Sequence, residues 1–85
     1  MRKYYPRVGT IFPDRSTLIE KLEESGWEFE GAGTSLSPRT GRVTGLNIGV
    51  QDKNRDLWLM IDLKPYRGGI KVTKVSKLKI SDYTQ

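Results

Sequence analysis

The residues of this chain that could do chemistry are mainly cations, and they are concentrated in its C-terminal part. Residues 31–85 contain ten Lys and Arg against four Asp, whereas residues 1–30 contain five Lys and Arg against six Asp and Glu. From Lys64 to Lys79 there are six basic residues and no acidic one. This asymmetry favours a polyanionic partner, usually nucleic acid. The alternative is a solvated basic strand that discourages edge-to-edge pairing of sheets, and the sequence leaves both hypotheses open.

The spacing of these cations suits a phosphate backbone. Alternate residues of a strand lie about 6.6–6.8 Å apart, close to the separation of successive phosphates in an extended single strand. Lys77 and Lys79 have this spacing, and Lys71 extends the row if the strand keeps its register. Neighbouring aromatic rings could stack on bases. The candidate nucleic-acid-binding residues are therefore Arg39, Arg42, Lys64, Tyr66, Arg67, Lys71, Lys77 and Lys79.

Few residues are suited to catalysis. The chain has no histidine and no cysteine, which removes the commonest general base, the commonest metal ligand and all thiolate chemistry. Asp52 and Asp56 flank a turn that also carries Lys53 and Arg55, so this turn is charge-balanced and not a calcium loop. Residues 31–33 (Gly-Ala-Gly) lack the GK[ST] that follows in a phosphate loop. We therefore expect a protein that is not an enzyme and that holds no metal or cofactor.

One segment, roughly residues 15–26, has the apolar spacing of a helix. Its apolar stripe consists of Leu18, Ile19 and Leu22. Residues 14–17 offer several possible N-caps, and Thr17 with Glu20 fits a capping box. Gly26 can end the helix because glycine adopts the left-handed conformation without steric strain.

A hairpin is the clearest strand signal. Its two apolar rows, with period two, are Leu46, Ile48 and Val50, and then Leu57, Leu59, Ile61 and Leu63. They should share one face of an antiparallel pair joined by a turn at residues 52–56. On the other face Trp58 lies opposite the glycines at 45 and 49, so it either packs across them or forms an exposed aromatic platform.

The remaining segments complete a small sheet. We expect strands at residues 7–12, 27–30 and 70–80, a long loop at 31–42, a turn at 64–69, and a bulge near residues 74–76. The predicted fold is α+β, with one short N-terminal helix on a mostly antiparallel sheet of four or five strands in the order β-α-β-β-β-β. Its 85 residues form a single domain, 1–85.

Residues 18–27, Leu-Ile-Glu-Lys-Leu-Glu-Glu-Ser-Gly-Trp, resemble the helix–Gly–Trp–strand junction of the HicA-type toxins. Those proteins are small RNA-cleaving enzymes with a fold like that of double-stranded-RNA-binding domains. The catalytic histidine of that family has no counterpart in this chain, so the resemblance does not imply the activity. The junction also has a structural explanation. Gly26 can end the helix, and Trp27 can fill the space between the helix and the sheet.

Two functions from different classes follow from the sequence, and a catalytic domain that works without histidine is the third and least favoured hypothesis. The first is a nucleic-acid-binding domain that contacts the phosphate backbone with low specificity through its basic C-terminal strand and turn. The second is a protein-interaction module or small inhibitor, of the kind encoded by phages or mobile elements, that docks on an acidic protein surface. We expect a cytoplasmic protein with no membrane partner, since no apolar run reaches the about 18–20 residues of a membrane span. A homodimer through a sheet edge is a further possibility.

Overall fold

The computed structural model describes residues 3–83, and it has the predicted α+β fold. The elements are β1 (Ile11–Phe12), α1 (Arg15–Glu24), β2 (Glu28–Leu36), β3 (Val43–Asp52), β4 (Leu57–Tyr66) and β5 (Gly69–Lys79). Short 3-10 turns follow β3 at Lys53–Arg55 and β5 at Ile80–Asp82. The five strands form one antiparallel sheet in the spatial order β1-β5-β4-β3-β2. The predicted element order β-α-β-β-β-β is confirmed.

Helix α1 begins at a side-chain cap and ends at a glycine. Asp14 is the N-cap, and its Oδ1 accepts a hydrogen bond of 2.7 Å from the backbone N–H of Thr17. The capping box predicted from Thr17 and Glu20 is therefore wrong, because Asp14 satisfies the orphan N–H groups first. Gly26 has φ +102°, which confirms the left-handed helix end.

The core lies between α1 and one face of the sheet, which we call the helix face. Leu18 and Leu22 of the helix are fully buried. The predicted hairpin register is confirmed, since Leu46 pairs with Leu63, Ile48 with Ile61 and Val50 with Leu59. The other core residues are Phe12, Trp27, Ile70 and Val72. The opposite sheet face, which we call the open face, is not covered by the helix.

Three predicted boundaries are wrong. The turn expected at 64–69 is reduced to Arg67 and Gly68, because β4 continues to Tyr66 and β5 begins at Gly69. The expected long loop at 31–42 is reduced to residues 37–42, since β2 continues to Leu36. Its small residues pair along β3, with Gly31 opposite Gly49 and Gly33 opposite Asn47. The first strand is shorter than predicted: Ile11 and Phe12 form its strand pairs with β5, while Gly9 and Thr10 are joined to Val72 by backbone hydrogen bonds outside the strand.

β5 contains a register shift that redistributes its lysines between the two faces. Val72 pairs with Leu63 and Lys74 with Asp62, so Thr73 is an extra residue on this strand. The bulge therefore lies just before the predicted region. In a strand without the bulge, Val75 would lie on the face opposite to Ile70 and Val72. The bulge places Val75 on the helix face with them, opposite Ile61.

Lys3 connects the N-terminal segment to the helix face through a hydrogen bond and an ion pair. Its ammonium donates a hydrogen bond to the carbonyl oxygen of Gly26 and forms an ion pair with Asp52 at 3.1 Å. It also lies 4.9 Å from the ring centroid of Trp27. The side chains of Lys3 and Asp52 are each only 11% exposed. This contact connects the start of the chain to the helix end and to the last residue of β3.

Acid should weaken the interaction between Lys3 and Asp52. The hydrogen bond from Lys3, helped by the charges of Lys3 and Arg55, lowers the pKa of Asp52 below its usual value. A lowered folded-state pKa adds stability that is present above the unfolded pKa of about 3.9 and is lost as the pH falls through the folded value. Urea unfolding at pH 7, 5 and 3 should show that Asp52→Asn is less stable than wild type at pH 7 and loses less stability in acid.

The control for this pH effect is Asp52→Asn in a protein that already lacks the ammonium group of Lys3. In a Lys3→Met background, Asp52→Asn should change the acid dependence less, since the largest cause of the lowered pKa is gone and only Arg55 still contributes. Asp14 also has a lowered pKa, caused by its hydrogen bonds with Thr17, so wild type and variants share that contribution. Equal acid sensitivity of wild type and Asp52→Asn would contradict the prediction.

Candidate nucleic-acid interface

Four predicted site residues lie together on the open face, at the end of the sheet where β4 turns into β5. We call Lys64, Tyr66, Arg67 and Lys71 the Tyr66 cluster. The Lys71 ammonium lies 4.9 Å from the ring centroid of Tyr66, and the Arg67 guanidinium lies 5.4 Å from it. Lys64 is the register partner of Lys71, so the two side chains leave the same face of the sheet. The result is two cations at one half-buried aromatic ring and a third cation, Lys64, opposite Lys71 on the same face.

The hairpin turn fixes the position of Arg67. Arg67 has φ +46° and Gly68 has φ +81°, the two successive positive values of a type I′ turn. Such a turn has two central residues and sets the register of the strands on either side, here Tyr66 opposite Gly69. Asparagine and glycine are the usual residues at the first of these positions. An arginine there places a cation at the tip of the hairpin despite some backbone strain.

Within residues 3–83 no cation of the Tyr66 cluster forms an ion pair, although Asp62 lies on the same face, opposite Lys74. The ion pairs among residues 3–83 are Lys3–Asp52, Lys53–Glu28 and Arg55–Asp52, all near the turn between β3 and β4 at the opposite end of the sheet. Lys64 and Lys71 lie directly opposite each other, an arrangement that is unfavourable for like charges. An anion bound across them would relieve this repulsion.

Protection of a sheet edge does not explain these lysines. β4 is the middle strand of the sheet, so Lys64 lies nowhere near an edge. Lys71 pairs with Lys64 on one side and with Ile11 of β1 on the other. The edge explanation fits only the part of β5 after Thr73, where no strand of the described chain pairs on the outer side. The Tyr66 cluster therefore calls for another explanation.

Arg39 and Arg42 lie in the turn between β2 and β3, at the same end of the sheet as the Tyr66 cluster. This turn is ordered by its own backbone, since Ser37 donates to the carbonyl oxygen of Arg42 at 2.8 Å and Gly41 donates to that of Ser37 at 2.8 Å. Both arginines are exposed. They border the open face from a neighbouring hairpin and do not contact the cluster.

Lys77 and Lys79 are separated from the cluster by the bulge at Thr73. Lys77 pairs with Leu59 and Lys79 with Leu57, so both belong to the helix face. The Lys77 ammonium lies 4.4 Å from the ring centroid of Tyr5, in the N-terminal segment. The single basic row expected from Lys71 to Lys79 is therefore not formed, because the strand does not keep its register.

Lys74 was missed by the sequence analysis. It lies opposite Asp62 on the open face, beyond Lys71 along the same strand. The signal that could have found it is the spacing of Val72 and Val75, which are three residues apart. Two apolar residues at this separation share a strand face only if one extra residue lies between them.

The packing of Trp58 agrees with one of its two interpretations. A Cβ added to Gly49 would lie 3.2 Å from Trp58 Nε1 and 3.2 Å from Met60 Sδ, so both side chains pack on this glycine. Gly45 instead faces Ser35 and the carbonyl oxygen of Leu63. The expected packing of Trp58 is confirmed at Gly49 and wrong at Gly45.

Comparison of the chain with protein-family models, with curated proteins and with solved structures found no match. The resemblance to the HicA-type junction is thus confined to residues 18–27. No helix formed by residues 3–83 is long and apolar enough to cross a lipid bilayer. Within the same residues, no three side chains of His, Cys, Asp or Glu cluster closely enough to hold a metal ion.

Proposed function

We propose that this protein is a non-enzymatic nucleic-acid-binding domain that contacts the phosphate backbone through the Tyr66 cluster, with low sequence specificity. The observation that carries the proposal is the group of three cations, without an ion pair among residues 3–83, at the hairpin end of the uncovered sheet face. Phosphate contacts from Lys and Arg supply most of the affinity in sequence-independent binding. Arg39 and Arg42 extend the positive surface at the same end of the sheet.

Backbone binding is favoured over base-specific binding by the kinds of side chain present. Lys64, Arg67 and Lys71 carry only hydrogen-bond donors, which suit phosphate oxygens. Tyr66 is half-buried and has cations near its ring, so it has limited surface left for stacking on a base. Asp62 on the same face would repel a strand that continued along β4. These features support a short contact of a few phosphates.

The salt dependence of binding tests this proposal. We would measure the fluorescence anisotropy of labelled single-stranded and duplex DNA and RNA across a salt series. For single strands the logarithm of the association constant should fall linearly with the logarithm of salt concentration, with a slope of about −2 for three phosphate contacts. If Arg39 and Arg42 also make contacts, the slope should be about −3.5. Absence of binding at the lowest salt concentration would overturn the proposal.

A second candidate function is docking of the same cations on an acidic protein surface. It is favoured by Ile11, which is 54% exposed and pairs with Lys71 at the border of the cluster. An apolar residue beside cations is common in protein interfaces, whereas phosphate gives it no partner. Failure to bind any oligonucleotide, together with capture of an acidic protein that depends on both Ile11 and Lys71, would favour this function.

A homodimer through a sheet edge stays a prediction. Residues 9–12 cover the start of β5, with Gly9 donating to Val72 and Val72 donating to Thr10. On this side of the sheet, the edge left for a second copy is the lysine-rich part of β5 from Lys74 onward; the other edge of the sheet is β2. Like charges on two such edges would oppose each other, so this edge is a poor one for self-pairing.

A further inference from the structure

A second concave site lies on the open face, at the end of the sheet opposite the Tyr66 cluster. It has a volume of about 300 Å³ and is lined by Glu30, Gln51, Trp58, Ile80 and Tyr83. Trp58 and Tyr66 are eight residues apart on β4, so the two sites are separated by about 27 Å. Nothing in the proposed nucleic-acid contact uses this pocket.

Two aromatic rings form a corner in the pocket. The ring centroids of Trp58 and Tyr83 are 5.9 Å apart, and the ring planes meet at 81°. Trp58 can pack on Gly49 because a Cβ there would lie only 3.2 Å from its Nε1. Tyr83 is 60% exposed and closes one side, after the 3-10 turn at Ile80–Asp82. The contact is edge-to-face, and a ring face that stays open to the pocket can contact a compact cation.

A carboxylate completes the corner. Glu30 lies at the register shift of β2, where Phe29 pairs with Val50 and Gly31 with Gly49, so it is the extra residue and points to the open face with the pocket. Glu30 has no ion pair within the described part of the chain. A glutamate without an ion pair in the lining of an aromatic pocket favours positive charge there and disfavours phosphate.

We propose that this pocket binds an alkylammonium group, either a small amine or the side chain of a lysine in a peptide. Trp58 and Tyr83 would contact its methyl or methylene groups, and Glu30 would supply the negative charge. A flat nucleobase fits less well, because it would stack on one ring and meet only the edge of the other. Simple packing of Trp58 against Tyr83 would need no carboxylate at this point.

The chain's two tryptophans allow a direct test by NMR. The indole N–H signal of Trp58, assigned with Trp58→Phe, reports on the pocket, and that of Trp27 is an internal control because it is hydrogen-bonded to the carbonyl oxygen of Tyr4 in the core. We would titrate choline, its uncharged isostere 3,3-dimethylbutan-1-ol, and an acetylated, amidated Ala-Lys-Ala peptide at constant ionic strength. Choline or the peptide should shift the Trp58 signal saturably, and the tighter ligand identifies the source of the ammonium group.

The charge requirement provides the control variants. Glu30→Gln should weaken choline binding about 3- to 5-fold, in line with an exposed charge pair, and Tyr83→Leu should weaken it about 3-fold. Glu23→Gln, on the helix, should have no effect. No saturable shift, equal binding of the uncharged isostere, or tighter binding of a nucleoside monophosphate would each overturn the proposal. None of these results depends on the Tyr66 cluster.

Discussion

Removing the three charges of the Tyr66 cluster should lower the affinity for single-stranded nucleic acid about 100-fold at 0.1 M salt. Each phosphate contact contributes about 0.7 to the salt slope. Between 1 M and 0.1 M salt this is about a 5-fold gain in affinity for each contact. The variant is Lys64→Gln, Arg67→Asn and Lys71→Gln. Asparagine is chosen at position 67 because it tolerates the positive φ of +46° that the turn requires.

The control for this prediction removes the same number of charges elsewhere. Lys53→Gln, Lys77→Gln and Lys79→Gln also lowers the net charge from +5 to +2, but these residues lie in the turn after β3 and on the helix face. Anisotropy titrations should show a loss of less than about 5-fold for this variant, which reflects only the weaker overall field. Equal losses in both variants would mean that net charge, and not the cluster, determines binding.

The stability of the cluster variant provides an independent check. Lys64 and Lys71 repel each other across β4 and β5, so their replacement should leave the protein at least as stable as wild type. A gain in stability with a loss of binding is characteristic of residues kept for function. A marked drop in melting temperature would instead show that the cluster has a structural role.

Trp27→Ala should cost about 3–5 kcal/mol, the largest stability loss we expect from a single substitution. Trp27 is 3% exposed and fills the space between the helix end and the N-terminal segment. Its Nε1 donates a 2.9 Å hydrogen bond to the carbonyl oxygen of Tyr4, and its ring contacts that of Tyr5 edge-on, with centroids 5.6 Å apart. The substitution leaves a cavity and also frees the segment that Lys3 fastens.

A loss of this size is a large part of the total stability, because small domains are stabilised by only about 5–15 kcal/mol. The melting temperature should fall by about 12–40 °C, at about 4–8 °C per kcal/mol. Thermal unfolding followed by circular dichroism measures this shift. Trp58→Ala is the matched control, since Trp58 is half-buried on the open face, and it should cost less. A smaller effect at Trp27 than at Trp58 would contradict the packing described above.

Much of the fold could be predicted because its signals are local. Leu18 and Leu22 are four residues apart, which places them on one helix face, and both are buried. The apolar rows of β3 and β4 have period two, and they pair as the pattern requires. The positive φ of Gly26 follows from the place of a glycine after a helical stripe. Each of these features depends on neighbours within a few positions along the chain.

The two ends of the open face were harder to predict because they depend on register. The sequence showed a basic segment from Lys64 to Lys79 but did not show which of its residues share a face. One extra residue at Thr73 sends Lys71 to the open face and Lys77 to the helix face. One extra residue at Glu30 places a carboxylate beside Trp58, which the alternation of residues 27–30 did not predict.

The sequence by itself thus determined the class of the fold, the pairing of its central hairpin and the concentration of positive charge in the C-terminal part. The tertiary structure decided which cations surround Tyr66, where the N-terminal segment lies, and that Glu30, Trp58 and Tyr83 share a pocket. The physical reason is that a strand's side chains alternate between faces, so a shift of one residue exchanges the faces. Whether such a shift occurs depends on pairing with another strand, here Val72 opposite Leu63 and Val75 opposite Ile61, and the spacing of Val72 and Val75 is its local trace.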